Sequence, residues 1–158
     1  MRPFIVAFVL LWLGSAFYGA WPPWLRIAGQ APDFVLATVA CLGLFRGAVA
    51  GCGAGLAGAL FIAGAGHVPI GGLSLGLMLV GTGAGLLRGS LFSERIFVAV
   101  VCAVLGVLVA SLIRLVVIPP PGLMVWLRDT AATMLLTGIA TPPIFALARL
   151  AREQDSVI

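Results

Sequence analysis

Residues 96–110 read Ile96-Phe97-Val98-Ala99-Val100-Val101-Cys102-Ala103-Val104-Leu105-Gly106-Val107-Leu108-Val109-Ala110, a run without a single charged residue. A strand of a membrane barrel alternates apolar and polar side chains, because its two faces meet lipid and lumen. This run does not alternate, so it reads as a helix that is apolar all round. Carried on to residue 118, it is long enough to cross a hydrocarbon core of about 30 Å, for which a helix needs about 20 residues.

The rest of the chain agrees with that stretch. Of its 158 residues 62% are hydrophobic and 9% charged, with a mean hydropathy of +1.22, whereas a soluble domain carries about 25% charged residues. A water-soluble fold has no means of covering so much apolar surface. Backbone in lipid must satisfy its own hydrogen bonds, which makes helices the default. The sequence therefore predicts an all-α integral membrane protein.

The net charge of +4 does not point to nucleic acid, because all nine basic residues are arginines scattered singly between apolar segments. Cys41, Cys52 and Cys102 fall inside those segments without metal-ligand spacing, so they read as small packing residues. At the amino terminus, Arg2 followed by an apolar run resembles a signal peptide. A cut after Ala20 would put bulky Tyr18 at the minus-three position, and a cut after Ala16 is only a weak alternative, so the segment is expected to be retained. Neither end carries a lipidation motif.

Six spans are expected, at about 4–20, 33–45, 47–64, 71–87, 96–118 and 130–148, forming a single transmembrane domain. Trp21-Pro22-Pro23-Trp24 stops the first with two prolines between interfacial aromatic rings. The second opens at Pro32-Asp33, with Pro suited to the first helical turn and Asp to the positive end of the helix dipole. One long helix from Asp33 into the fifties would strand Arg46 in mid-bilayer at a cost of about 2.5 kcal/mol or more. A tight hairpin at Arg46-Gly47 avoids that cost. A loop follows around His67 and Pro69, then a polar linker from Arg88 to Arg95. Pro119, Pro120 and Pro121 end the fifth helix, and the segment through Trp126 and Arg128-Asp129 is expected to lie at the interface before the sixth.

Arginine placement orients these spans. With the amino terminus inside, Arg2, Arg46, Arg88, Arg95, Arg149 and Arg152 are cytoplasmic, while the outer loops hold Arg26 and Arg128. Merging the second and third helices would turn Arg88 and Arg95 outward. The pattern favours a six-transmembrane-helix bundle with both termini cytoplasmic.

Few residues offer chemistry. Gly47, Gly51 and Gly55 recur every four residues, as do Gly81, Gly85 and Gly89, which lets backbones approach closely. Packing within the chain is the first reading, a groove for a partner helix or lipid the second. The Gly51–Gly55 cluster lacks the Lys-Ser/Thr ending of a phosphate loop. Arg114 is the only charge well inside an expected span, four residues before its outer end. It either snorkels to the interface or meets Asp33 or Asp129 in a polar pocket or partner anchor. Asp33, His67 and a serine make a hydrolytic triad only on paper, with no nucleophile elbow. No zinc motif or intramembrane carboxylate cluster suggests metal catalysis, redox work or active transport, so no cofactor and no enzymatic activity are expected.

Over residues 31–152 the chain resembles the bacterial rod shape-determining protein MreD family. The resemblance rests on Pro32-Asp33-Phe34, a short apolar run to Arg46-Gly47, and a glycine-rich helix with Gly55-Leu56. It continues through Pro69-Ile70-Gly71, Leu75-Gly76 and Gly85-Leu86-Leu87-Arg88 to Thr141-Pro142-Pro143 and Arg149. One departure is clear. Many family members carry an acidic residue late in the third helix, where this chain has Ala59 and Leu60, so a role for that carboxylate does not carry over. The resemblance implies a non-enzymatic scaffold of the cytoplasmic (inner) membrane. Such a subunit binds an MreC-like protein and helps couple MreB filaments, indirectly, to the peptidoglycan polymerase RodA and its transpeptidase.

Pro32, Asp33, Arg46, Gly47, Gly51, Gly55 and Arg114 are the resulting candidates for contact with a partner. A different class remains open: the substrate-binding subunit of an energy-coupling vitamin transporter, also a compact bundle of about six helices, with Ala16 and Ala20 as a small-residue pair for a coupling subunit. Against it, few polar residues face a plausible pocket. A channel-forming oligomer lacks a polar stripe. A charge reversal at Asp33 that rescues Arg114→Asp would establish their pairing; no rescue would dismiss it.

Overall fold

The computed structural model describes residues 2–27, 29–65, 70–88, 96–117 and 122–155, apart from the side chains of 2–7, 18–19, 70 and 151–155. Among the described residues six α-helices follow one another: α1 (Arg2–Ala20), α2 (Phe34–Arg46), α3 (Ala48–Gly64), α4 (Ile70–Leu87), α5 (Ile96–Val117) and α6 (Leu123–Asp155). Among the described residues there is no strand, only an isolated bridge between Ile27 and Gln30. His67 and Pro69, the linker residues 89–95 and the prolines at 119–121 lie outside the described residues.

The bundle is arranged around α2. Every residue from Val35 to Phe45 is buried, and the helix touches each of the other five. Apolar on all sides, it has no face to show to water. Its one interior hydroxyl, on Thr38, donates to the Phe34 carbonyl at 2.8 Å, so no polar atom is stranded.

Both ends of α2 are sharply set. Asp33, expected as the first helical residue, is the N-cap: its Oδ1 accepts from the Leu36 amide at 2.9 Å. Pro32 accordingly precedes the helix, not inside its first turn. At the other end Gly47 takes φ 94°, a conformation that side chains disfavour. Its N–H donates to the Gly43 carbonyl at 2.8 Å and its own carbonyl accepts from Gly51 at 2.9 Å, so one residue joins two helices with neither ladder left open.

α3 folds back along α2, with Gly51 beside Gly43 and Gly58 beside Val35. α4 then packs backbone to backbone on α3. A Cβ on Gly51 would run into the Gly81 carbonyl, one on Gly55 would lie 2.5 Å from the Leu77 carbonyl oxygen, and one on Gly85 would overlap the Ala48 backbone. α5 runs against α4, with Gly76 at Ala110 and Gly106 at Val80. α6 runs against α5 and hence parallel to α2, meeting it at Asp33–Thr137 and at Phe45–Phe145. Leu11, Gly14 and Phe17 of α1 meet α2 and α3 at the end where α2 begins, near Gly58 and Phe34.

One expectation is corrected. α6 begins at Leu123, not at 130, and continues past 148 to Asp155. Nothing between 123 and 129 breaks a helix: the Trp126 amide bonds the Gly122 carbonyl at 3.2 Å, and the Trp126 indole N–H donates to the Ser111 carbonyl at 3.3 Å, tying this turn to α5. Pro142 and Pro143 lie within the helix, where each lacks the N–H that would bond four residues back.

Two helical segments, Ile96–Val117 and Leu123–Leu150, are long and apolar enough to cross a membrane, and the remaining helices are shorter apolar ones. Large apolar side chains point outward all round, as in Val49 (89% exposed), Phe97 (73%) and Val116 (84%).

The glycines separate into two kinds that one substitution distinguishes. Gly51→Ala forces α3 and α4 apart and should cost about 1–3 kcal/mol. Gly53→Ala, with nothing within 4 Å of the new methyl, should be neutral or stabilise by up to about 1 kcal/mol. Thermal unfolding of the purified chain in detergent reads both.

Candidate functional site

A polar cavity exists because α2 is short. Its 13 residues span about 20 Å at 1.5 Å per residue, and it stops at Asp33 while its neighbours continue. The Asp33 amide donates to the Thr137 hydroxyl at 3.0 Å, which fixes the level of α2's head on α6. α6 starts at Leu123, so roughly 20 Å of it stands beyond that level. The last turn of α5 flanks it.

The space left over α2 has a volume of about 270 Å³. Leu36, Val107, Ala110 and Val125 supply its apolar wall, and Gln30, Asp33, Ser111, Arg114, Trp126, Asp129, Thr130 and Thr133 its polar one. Small-molecule sites run from about 300 Å³ upward, so the cavity suits a small polar group.

The charges are unevenly satisfied. Asp129 pairs with Arg128, the Nη2 of which lies 3.4 Å from Oδ1. Asp33 is 8% exposed; Oδ1 is taken by the Leu36 amide, and Oδ2 accepts no hydrogen bond among the described residues. Arg114 lies near enough for its charge to act on Asp33, yet the two form no ion pair among the described residues. Arg114 is an exposed residue. The arrangement can bind and orient a charged group.

The sequence-derived candidates separate in space. Asp33 and Arg114 line one cavity, together with Asp129, and buried Pro32 sits beside them. Arg46 and Gly47 lie at the opposite end of α2, where the Arg88 guanidinium is 3.6 Å from the position of a Cβ on Gly47. Gly51 and Gly55 are buried against α4, so that face is occupied within the chain.

Sequence reasoning missed the threonines. Thr130, Thr133, Thr137 and Thr141 recur at three- and four-residue intervals, which puts them on one face of α6. Thr137 and Thr141 are fully buried, and the Thr141 hydroxyl donates to the Thr137 carbonyl at 2.7 Å. That spacing was legible; the buried amide of Asp33 that the stripe serves was not.

Comparisons with protein-family models, with curated proteins and with solved structures find no match to this chain.

Removing the Thr137 acceptor tests the joint between α2 and α6. Thr137→Val leaves the buried Asp33 amide without a partner and should lower stability by about 1–3 kcal/mol. Thr137→Ser keeps the oxygen and should recover most of the loss, read by thermal or denaturant unfolding of the purified protein.

Proposed function

We propose that this chain is a multi-pass scaffold subunit of the bacterial inner membrane. In this reading it acts in the rod-shape machinery as members of the MreD family do, with six spans and both termini cytoplasmic. It binds an MreC-like protein through its helices and short loops, and so helps couple MreB filaments to the RodA polymerase and its transpeptidase.

The observation that carries the reading is where the family-like residues fall. Pro32-Asp33 and Arg46-Gly47 stand at the two ends of α2, the helix around which the others pack. The Gly55 and Gly85 regions form the tight α3–α4 contact. Several of the residues that carry the resemblance are thus ones on which the packing of α2, α3 and α4 depends. Charge supports the orientation: Arg46 and Arg88 adjoin Gly47 at one end, and Arg149 is one turn beyond Phe145, which stacks on Phe45. Asp33, Arg114, Arg128 and Asp129 gather at the other end. An arginine-rich end is the cytoplasmic one.

A substrate-binding subunit of an energy-coupling vitamin transporter is the second reading. The cavity above α2 favours it, since convergent polar residues line a concave site there.

Gentle affinity purification from the native membrane separates the two. The scaffold reading expects an MreC-like protein and the RodA synthase to come with the chain, and cells depleted of it to lose rod shape. Transporter ATPases, a coupling subunit and a bound vitamin would overturn it.

A further inference from the structure

The cavity above α2 holds two opposite charges that are close together but not paired. The Arg128–Asp129 pair at the rim is closed on itself at 3.4 Å, whereas Asp33 and Arg114 line the same space without meeting. Asp33 is the deeper, more than nine-tenths buried, with Oδ2 free of hydrogen bonds among the described residues. Arg114 lies on the exposed side with its donors unused among the described residues. A buried carboxylate gains most from a partner that brings both charge and N–H donors. A guanidinium at the mouth matches an oxyanion, most strongly the forked oxygens of a phosphate or carboxylate.

We propose that this cavity binds the head of a small zwitterion with a primary ammonium, its N–H groups donating to Asp33 Oδ2 and its anionic group accepting from Arg114. The depth order sets the ligand's direction: ammonium first, anion towards the mouth. A phosphoethanolamine head group has that order when its lipid tails remain outside, as has free phosphoethanolamine. A choline head is excluded chemically, because its nitrogen has no N–H to donate and its three methyl groups enlarge the tip. A glycerol head lacks the cation. Gln30, Thr130 and the Trp126 ring complete the walls. The lipid source rests on the proposal that the chain is embedded in a bilayer; it needs neither the MreC-like partner nor the cell-shape role.

The test uses the full chain, purified in maltoside detergent and stripped of lipid. Native mass spectrometry then follows titration with phosphatidylethanolamine, phosphatidylcholine and phosphatidylglycerol of identical acyl chains. The ethanolamine lipid should bind at least tenfold more tightly than either of the others. Asp33→Asn removes the charge while Asn still serves as an N-cap and should bring the preference to within about twofold of the choline lipid; Arg114→Gln alters an exposed residue and, by removing the donor to the phosphate, should weaken binding of the ethanolamine lipid about tenfold. Calorimetry with free phosphoethanolamine identifies the source. Binding as tight as that of the lipid assigns a soluble zwitterion, and binding by the lipid alone assigns the membrane. Equal affinity for ethanolamine and choline lipids with no binding of free phosphoethanolamine, or an unchanged affinity for the ethanolamine lipid in Arg114→Gln, overturns the proposal. A preparation that prefers ethanolamine lipid but recovers no MreC-like protein supports the pocket while rejecting the scaffold.

Discussion

A short helix that is apolar on every side has to be surrounded, and that requirement on α2 organises the molecule. Five helices close around its 13 residues, and each of its ends is set by one residue: Asp33 caps the first turn and Gly47 turns the chain back. Burying a helix this completely leaves no tolerance for an unmet polar group at its head, where the first amides of any helix lack internal partners. Asp33 supplies an oxygen to Leu36, and Thr137 on α6 supplies one to the amide of Asp33 itself. The head of α2 is thereby tied to a helix about a hundred residues away in sequence.

The same shortness produces the cavity. Had α2 been as long as α5, its own first turns would fill the space between α5 and α6. Instead the space is lined by whatever these two helices carry at that level, and they carry Ser111, Arg114, Trp126, Asp129 and Thr130. Close packing elsewhere sharpens the contrast. α3 and α4 approach until backbone meets backbone, a separation available only where Gly51, Gly55, Gly81 and Gly85 have no side chains. One side of the bundle is thus sealed by missing side chains, and the opposite side is held open at one end by a missing helical turn.

This division bears on how a scaffold with almost no mass outside its helices would act. Gly51, Gly55, Gly81 and Gly85 are spent on holding its own helices together, whereas charged side chains gather at the end around Gly47 and at the polar end around Asp33. The proposed roles place a protein partner and a zwitterionic head group on a surface otherwise made of Val49, Phe97, Val116 and similar apolar side chains.

Much of the helical layout was legible in sequence, because most of the boundaries are written in local chemistry. The pair Pro22-Pro23 stops α1, Asp33 announces α2, Gly47 permits the hairpin, and the charge-free run of 96–110 reads as helix. The start of α6 was not legible: residues 123–129 carry no strong helix signal by themselves, and it is the packed bundle, with the Trp126 bond to α5, that shows this turn to be helical. Sequence alone likewise singled out Asp33 as the opening residue of α2 and Arg114 as the only charge well inside an expected span, but left Arg114 a choice between snorkelling and pairing. Whether two such charges share a cavity depends on where α2 stops relative to α5 and α6, and on the threonine that receives the Asp33 amide. These are distances between helices far apart along the chain, and only tertiary packing sets them.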